Sequence, residues 1–147
     1  MLAEITLLIS IILIMLVVIS LGIFGIILIV SAIIGVPFVP TKKVTAQKMI
    51  ELAKIKSGTK IVDLGSGDGR LLFLAEKQGA QAIGYELNPF LTLWTKFLAK
   101  LKRKKIKIYT ASIYDADLTD VDVVFAYLMP GPMKKLTDKL YSELKPG

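Results

Sequence analysis

Three features of the sequence predict an α/β fold, a doubly wound parallel sheet that follows one transmembrane helix. Short apolar runs alternate with segments of helical spacing from residue 44 onward. Strands that alternate with helices need crossover connections, which are right-handed and make neighbouring strands parallel. A glycine-rich turn follows the first apolar run, and an uncharged segment from residue 5 to residue 41 precedes all of them.

The amino-terminal segment is long and apolar enough to cross a bilayer once. A helix needs about 20 apolar residues to span a hydrocarbon core roughly 30 Å thick, and we predict a transmembrane helix over residues 7–34. The transmembrane region is assigned to residues 1–36 and a linker to residues 37–43. A cleaved signal peptide is the alternative, with residues 30–32 as its cleavage site. It would carry a basic region before the apolar run, and this chain has none.

Charged residues predict the topology and the partners. We predict a single-pass membrane protein. Lys42 and Lys43 directly follow the span, so the positive-inside rule places the part of the chain after the span in the cytoplasm. Residues 96–107 contain seven Lys and Arg. For a tethered domain, anionic lipid is at least as natural a partner as nucleic acid, and a merely solvated helix face is the third interpretation. The chain has no cysteine and no histidine, so catalysis would proceed without thiolate or imidazole.

Residues 44–147 are predicted to form one domain. Strands are expected over residues 60–65, 80–87, 105–111 and 121–128, and helices over residues 44–56, 70–78, 89–104 and 130–144. Asn88 and Pro89 mark a helix start, because asparagine caps free amides and proline has no amide to satisfy in the first turn. Apolar side chains share one face of that helix, and we expect the face to lie in the core: Phe90, Leu91, Trp94, Phe97, Leu98 and Leu101.

The sequence DLGSGDGR, residues 63–70, places a glycine-rich turn at the end of the first strand. In an open parallel sheet, ligands bind beyond this end of the strands, where the strand order reverses. Gly65, Gly67 and Gly69 permit a tight turn and a close approach of a ligand to the backbone. Their G-x-G-x-G spacing differs from the G-x-G-x-x-G of dinucleotide-binding loops.

Two carboxylates, Asp63 and Asp68, accompany these glycines. They would repel a pyrophosphate, which needs positive surroundings, whereas they suit a cationic ligand. S-adenosylmethionine carries a sulfonium and an ammonium, and its single carboxylate can accept hydrogen bonds from amides at a helix start. We therefore predict S-adenosylmethionine as the cofactor.

Residues after the other strands complete the predicted site. Glu86 ends the second strand, where an acid can accept hydrogen bonds from both ribose hydroxyls; an exposed strand-end glutamate is the alternative. Ser112 and Ile113 would offer the adenine ring a polar contact and an apolar face. Tyr127 follows the fourth strand and would form an aromatic wall beside the methyl donor. Four acids are assigned to turns, since they fail the calcium-loop pattern, and no metal site is predicted: Asp115, Asp117, Asp120 and Asp122.

The segments DLGSGDGR and GYELNP resemble motif I and the following acidic motif of class I S-adenosylmethionine-dependent methyltransferases. More narrowly, the order PFVPT, DLGSGDGR, GYELNP, YLMP and KLYSELKPG is similar to small membrane-anchored lysine methyltransferases. Those enzymes modify the mitochondrial adenine nucleotide translocase and the c-subunit of ATP synthase. The resemblance covers residues 37–147 and implies a Rossmann-like methyltransferase core, the same cofactor and a protein substrate.

The resemblance also implies roles for individual residues. Five loop residues would hold the methionine moiety: Asp63, Gly65, Ser66, Gly67 and Gly69. Asp68 is included among the cofactor-binding residues because of its charge. Glu86 would hold the ribose, with Leu87 and Asn88 beside it, and Ser112 stands where many relatives have an aspartate. Thr41, Tyr127 and Pro130 would border the acceptor pocket and are the catalytic candidates. Relatives continue beyond the final LKPG, so we expect a core truncated after its fourth strand, either a fragment or a chain whose bare strand edge a partner covers.

These observations predict a membrane-anchored S-adenosylmethionine-dependent methyltransferase. Methyl transfer to an amine needs alignment and a deprotonated acceptor, and a lysine in a desolvated pocket loses its proton more readily. A protein lysine at the membrane is the expected acceptor. The alternatives are a lipid, quinone or other small molecule as acceptor, and a tethered module that binds the cofactor without catalysis. A nucleic-acid substrate is not expected, because YLMP lacks the asparagine-proline-proline-aromatic pattern of such enzymes.

Overall fold

The computed structural model describes residues 2–33 and 39–145. The chain divides into two compact units, Met1–Phe38 and Val39–Gly147. Most of the boundary between them lies outside the described residues, as does Ile34 at the end of the predicted span. The predicted domain limits at residues 36 and 43 therefore stay predictions.

The first unit contains one long helix, α1 (Leu2–Ile33). Its segment Leu2–Ile29 has a mean hydropathy of 3.2 over its most apolar stretch, so by length and composition it can cross a membrane. Its hydroxyl side chains donate back into the helix, for example from Thr6 Oγ1 to the Leu2 carbonyl at 2.9 Å. Internal satisfaction of polar groups is what a lipid environment requires.

The second unit contains every predicted strand and helix. In chain order these elements are α2 (Lys43–Leu52), β1 (Lys60–Leu64), α3 (Arg70–Lys77), β2 (Gln81–Glu86), α4 (Pro89–Leu101), β3 (Ile106–Thr110), a 3₁₀ turn (Ile113–Asp115), β4 (Val123–Ala126) and α5 (Pro130–Glu143). All four helices of this unit end earlier than predicted, α3 and α5 by one residue and α2 and α4 by four and three residues. Lys54 after α2 and Arg103 after α4 adopt left-handed conformations, with φ of 46° and 52°, and a right-handed helix cannot continue through such a residue.

The sheet confirms the predicted doubly wound topology. Its strand order is β3-β2-β1-β4, and all three pairings are parallel. The chain moves outward from β1 to β3 and then returns to the other side of β1. The order therefore reverses between β1 and β4, which defines the switch point. Within the described chain, β4 pairs only with β1 and forms one edge of the sheet.

The core lies on both faces of the sheet, and β1 contributes to each face in alternation. Ile61 packs with α2 and α3, in a cluster that includes the fully buried Leu72. Val62 and Leu64 point to the opposite face and pack with Leu136 of α5. This period of two is the strand geometry expected for a doubly covered sheet, and it fixes which side chains can reach the end of β1.

The predicted core face of α4 is wrong in its main part. Of the predicted residues Leu91 is buried, as expected, and the rest of the buried face consists of three smaller side chains: Thr92, Thr95 and Ala99. Phe90, Trp94, Phe97 and Leu101 are exposed, and Leu93 is exposed beside them. The physical reason is space, because α4 approaches the glycine loop so closely that only a small side chain such as Thr95 fits between them.

Candidate functional site

The glycine loop joins β1 to α3 at the switch point. Gly65, Gly67 and Gly69 have φ values of 84°, 54° and 74°, in the left-handed region that favours glycine. The amides of Gly65 and Ser66 both donate to the carbonyl oxygen of Tyr85 in β2, at 2.9 and 3.0 Å. The loop is thus fixed to the neighbouring strand and turns sharply into the start of α3.

Contacts require glycine at two positions, Gly69 and Gly84, and the left-handed φ of 74° is a further requirement at Gly69. A Cβ at Gly69 would lie 2.3 Å from Cγ2 of Thr95, and Thr95 Oγ1 donates to the Gly67 carbonyl at 3.2 Å. A Cβ at Gly84, in the middle of β2, would lie 2.7 Å from Oγ of Ser66. Thr95 and Gly84 are not among the residues that the sequence predicted for the site. A glycine inside a strand was the available signal for the second, since it marks a close backbone approach.

Asp63 is a buried carboxyl at the carboxyl-terminal end of β1. Among residues 2–33 and 39–145, none donates a hydrogen bond to its side chain. Desolvation by burial raises the pKa of Asp63 to about 7, and the nearby carboxylates of Glu86 and Asp68 contribute to this rise. A buried carboxyl with this pKa gains most from a cation placed beside it, because the cation stabilises its ionised form.

Ser66 presents a second unsatisfied polar group. Its Oγ is buried, and no partner for it exists in the described part of the chain. A buried hydroxyl without a partner costs free energy unless a ligand or water completes its hydrogen bonds. Asp63 and Ser66 lie at the two sides of Gly65, so both unsatisfied groups belong to one small region.

Glu86 accepts one backbone amide with each carboxylate oxygen, one from the glycine loop and one from the turn before α4. Oε2 accepts from the Gly67 amide and Oε1 from the Asn88 amide, each at 2.8 Å. Each carboxylate oxygen has two lone pairs, so each can accept one further hydrogen bond. Glu86 is therefore oriented by the backbone and keeps the capacity to bind a diol in a bidentate way, which stays a prediction.

Asp68 differs from Asp63 in having a partner. Its carboxylate accepts from Arg70 Nε at 2.9 Å and pairs with Arg70 Nη2 at 2.5 Å. Arg70 Nη1 also donates to the carbonyl oxygen of Thr41, which attaches the segment before α2 to the loop. Sequence analysis treats the two aspartates as equivalent. In the structure Arg70 balances Asp68, and the negative charge available to a ligand comes mainly from Asp63 and Glu86.

The residues after Glu86 have structural partners of their own. Asn88 Oδ1 accepts from the amides of Phe90 and Leu91, as predicted for the cap of α4. Leu87 is exposed beside it. An apolar side chain at this position is available to cover a ring held near Glu86, so its predicted place in the cofactor site stays a prediction.

The residues after β3 have local roles. Ser112 Oγ caps the 3₁₀ turn by accepting from the Tyr114 amide at 3.3 Å, and Asp115 completes this capping box. The side chain of Ile113 is buried in the core cluster that contains Val62 and Leu64. Their predicted contacts with adenine are not shown, and the hydroxyl and the isoleucine side chain already have structural functions.

Tyr127 and Pro130, two of the residues predicted for the acceptor pocket, follow the end of β4. Leu64 pairs with Ala126, so Tyr127 follows at the same edge of the sheet as Gly65. Tyr127 is exposed, and Leu128 Cδ2 lies 3.0 Å from the position of a Cβ at Gly65. Pro130 is the first residue of α5. Thr41 reaches the loop through Arg70, a residue that sequence analysis did not include in the site.

No group of three His, Asp or Glu residues that could hold a metal occurs in the described residues. The acids before β4 instead have local partners. Asp117 accepts from Thr119, Asp122 accepts from the Lys60 amide at 2.8 Å, and Asp120 pairs with Lys60 and Lys145. These contacts stabilise the turn before β4.

The site therefore combines a glycine loop, an unpaired buried carboxyl and a bidentate glutamate at a switch point. The sequence profile of the ANTKMT methyltransferase domain matches residues 63–147, from Asp63 of β1 onward. The chain belongs to the ANTKMT methyltransferase domain family.

Relatives within and near this family are lysine methyltransferases. The lysine N-methyltransferase of the ATP synthase c-subunit from Xenopus laevis is 32% identical over 111 residues, which are 74% of this chain and 49% of that protein. A protein-lysine N-methyltransferase from Saccharolobus islandicus is 31% identical over 118 residues, 76% of this chain and 72% of that protein. The mouse adenine nucleotide translocase lysine N-methyltransferase is 34% identical over 119 residues, 76% of this chain and 50% of that protein. The chain spans about half the length of the ATP synthase and translocase relatives.

A solved structure shows the same fold at similar identity. An RNA methyltransferase from Salinibacter ruber, crystallised with S-adenosyl-L-homocysteine, superposes with a TM-score of 0.71 and 34% identity. The match covers 74% of this chain and 73% of that one. A dimethyladenosine transferase from Plasmodium falciparum, 20% identical with a TM-score of 0.66, shares the fold alone; that match covers 71% of this chain and 38% of the transferase. The ANTKMT-family chain thus has the class I methyltransferase architecture that the sequence predicted.

Proposed function

We propose that this chain binds S-adenosylmethionine and methylates a lysine side chain of a protein at a membrane. The observation that carries the proposal is the unpaired, buried Asp63 beside Glu86 in the glycine loop. A cationic ligand with a ribose complements both groups, and the lysine methyltransferase relatives support the choice of acceptor.

The residues present fit this cofactor. Asp63 would bind its ammonium, the unsatisfied Ser66 hydroxyl and the loop backbone would bind its methionine moiety, and Glu86 would bind its ribose. A Cβ at Gly65 would lie 3.0 Å from Leu128 Cδ2, so a side chain at this position would fill the space beside the glycine loop. When bound, S-adenosylmethionine supplies a methyl group activated by the sulfonium.

The chain's own part in the reaction is positioning. Tyr127 and Pro130 would form one wall of the acceptor pocket, and Thr41, fixed through Arg70, would form another. Exclusion of water by these walls favours the neutral form of an entering lysine, whose lone pair must face the methyl group. Since alignment and desolvation suffice, the absence of histidine from the sequence is compatible with catalysis.

Membrane anchoring is the second part of the proposal. The long apolar helix α1 supports it, and the two lysines after the apolar segment support a cytoplasmic location for the second unit. A tether confines the enzyme to the surface where a membrane-protein lysine would be found, which raises their effective concentration.

Methyl transfer in isolated membranes tests the proposal. Membranes from cells that lack the gene would be incubated with radiolabelled S-adenosylmethionine and either the wild-type chain or the Glu86→Ala variant. We expect label in a protein band, and mass spectrometry should place it on lysine. Label in the lipid extract would instead identify a lipid or quinone acceptor. Binding of S-adenosylmethionine in calorimetry, without label in protein or lipid, would indicate the non-catalytic tethered module.

A further inference from the structure

The outward face of α4 is apolar over its whole length. Five of its side chains form what we name the α4 stripe: Phe90, Leu93, Trp94, Phe97 and Leu101. Their exposed fractions run from 40% to 66%, and the rings of Trp94 and Phe97 are 5.9 Å apart. Since successive helix residues are about 100° apart around the axis, all five fall within an arc of about 100°. A water-facing helix in a soluble domain would carry polar side chains there.

Basic residues accompany the stripe. Lys96 and Lys100 are exposed on α4 itself, and further basic residues follow its last turn: Lys102, Arg103, Lys104, Lys105 and Lys107. Lys104 pairs with Glu76 at 2.8 Å, and the ammonium of Lys102 lies over the Phe73 ring at 5.3 Å. The other five form no ion pair with an acidic residue in the part of the chain that the structure describes, so their charge is available to a partner: Lys96, Lys100, Arg103, Lys105 and Lys107.

We propose that the α4 stripe docks on the surface of a bilayer that contains anionic lipid. The aromatic and leucine side chains would enter the boundary between headgroups and acyl chains, and the basic residues would bind lipid phosphates. Tryptophan and phenylalanine on an apolar face next to lysines are the composition of interfacial helices. The inference rests on the proposed membrane anchor, because α1 would hold the second unit near the surface, but it does not depend on catalysis.

Charge and shape favour lipid over the other two occupants. A second copy of this chain would bring two basic clusters together when the two stripes met, which is repulsive. A nucleic acid would satisfy the lysines but would leave Leu93 and Leu101 without an apolar partner, since bases stack on aromatic rings and not on leucine. A bilayer with anionic headgroups satisfies both parts of the surface.

The proposal also concerns the orientation of the active site. The first turn of α4 begins at Asn88, whose amide donates to Glu86. Docking of the α4 stripe would therefore hold the predicted ribose-binding residue close to the bilayer surface. A lysine that emerges from a membrane protein near the headgroups would then meet the site without a large movement of the domain.

Trp94 is the single tryptophan of the chain, so its fluorescence reports on the stripe without a label. The full chain would be reconstituted into vesicles of phosphatidylcholine alone and of phosphatidylcholine with phosphatidylglycerol. With anionic lipid, we expect a blue-shifted emission and strong quenching by brominated phosphatidylcholine. Each uncompensated basic residue should strengthen docking by about fivefold. Equal emission and equal quenching in the two kinds of vesicle would overturn the proposal.

Matched variants separate the stripe from general surface effects. Lys96→Glu with Lys100→Glu should weaken the quenching in anionic vesicles by about tenfold or more. The same double reversal at Lys134 and Lys135 of α5 should have a smaller effect. Phe97→Ser should also reduce quenching, whereas Tyr141→Ser, at a residue 87% exposed on α5, should not. Equal losses in the members of either pair would contradict docking through α4.

Three controls distinguish the other outcomes. Retention on vesicles after an alkaline carbonate wash reports on α1 alone, so a failed anchor is recognised separately from a failed α4 contact. A blue shift that grows with the protein-to-lipid ratio would assign the stripe to a second copy. A shift produced by added RNA in phosphatidylcholine vesicles would assign it to nucleic acid. Either result would overturn the lipid proposal.

Discussion

Asp63 is the residue whose chemistry depends most on its surroundings. Strand alternation buries it on the α3 side of β1, and the glycine loop leaves its carboxyl without a donor in the described residues. Burial and two neighbouring carboxylates raise its pKa to about 7, where small changes of pH alter its charge. The residue that would bind the cofactor's ammonium is therefore itself sensitive to pH.

Cofactor affinity should accordingly depend on pH through Asp63. Below its pKa the carboxyl is protonated and cannot attract an ammonium, so binding should weaken by about eightfold between pH of about 7.5 and about 6. Isothermal titration with S-adenosylmethionine would measure this change. Asp63→Asn should bind more weakly and should show only the pH dependence of the ligand's own amine. An equally steep profile in the Asn variant would rule out Asp63 as the titrating group.

The raised pKa of Asp63 should also make the stability of the cofactor-free chain depend on pH. The folded pKa of Asp63 lies above the ordinary value of 3.8, so the protonated form is the one that the fold accommodates. Its contribution to stability is present below the unfolded pKa and is lost as pH rises through about 7. Asp63→Asn should remove this pH-dependent contribution to stability. Thermal unfolding of the wild type and the variant at several pH values would measure it.

Glu86 should contribute to binding more strongly than an exposed glutamate could. Glu86→Ala removes the predicted ribose acceptor and also the acceptor for the amides of Gly67 and Asn88. Charge-assisted hydrogen bonds of this kind are worth about 2 kcal/mol, so we expect affinity to fall by about thirtyfold or more. Calorimetry would measure it. Glu86→Gln retains one acceptor oxygen, so its affinity should lie between those of the wild type and of Glu86→Ala. Unchanged binding in both variants would refute the ribose assignment.

At the scale of elements, the contact between α4 and the glycine loop decides how the site is built. Thr95 occupies the space beside Gly69 and donates to the carbonyl of Gly67. The helix that carries the α4 stripe is therefore the one that supports the loop from behind. This contact explains why the buried face of α4 consists of small side chains and why its aromatic residues point away from the sheet.

A double-mutant cycle would test this contact. Gly69→Ala places a Cβ 2.3 Å from Thr95 Cγ2 at a φ of 74°, and we expect a loss of about 2–4 kcal/mol in the free energy of unfolding. Thr95→Ser removes that methyl group and keeps the hydroxyl. In the Thr95→Ser background, Gly69→Ala should cost about 1 kcal/mol, because only the backbone strain remains. Additive effects in chemical denaturation would show that the two residues do not clash.

At the scale of the whole molecule, the proposed membrane anchor and the candidate cofactor site belong to different units. Every residue of the candidate site lies in the second unit, Val39–Gly147, and α1 lies in the first. A chain that begins at residue 39 should bind S-adenosylmethionine as the full chain does. It should methylate a membrane-bound substrate about a hundredfold more slowly, because the effective concentration given by the tether is lost. Comparison of calorimetry with membrane labelling would check both parts, and equal rates would argue against a functional anchor.

The sequence was sufficient to predict the topology and to place a candidate site at the end of β1. Short apolar runs and the segments of helical spacing between them predicted all four strands and their helices, since both patterns depend on local geometry. Asn88 predicted the start of α4, because a capping side chain acts on the next few amides. Glycine spacing after β1 and the acid at the end of β2 predicted the candidate cofactor loop, because both follow from strand ends that the sequence locates.

Only the tertiary structure decided which charges and which helix faces are free. Arg70 pairs with Asp68 two residues away, and its second bond, to the Thr41 carbonyl, depends on how the segment before α2 approaches the loop. The exposure of the α4 stripe depends on the small space behind Gly69, which no helical periodicity encodes. Periodicity reports that a helix has an apolar face, whereas packing determines whether that face meets the sheet or another surface. For this chain, the sequence alone determined the fold and the candidate cofactor loop, and three-dimensional contacts determined the unpaired carboxyl and the outward apolar stripe.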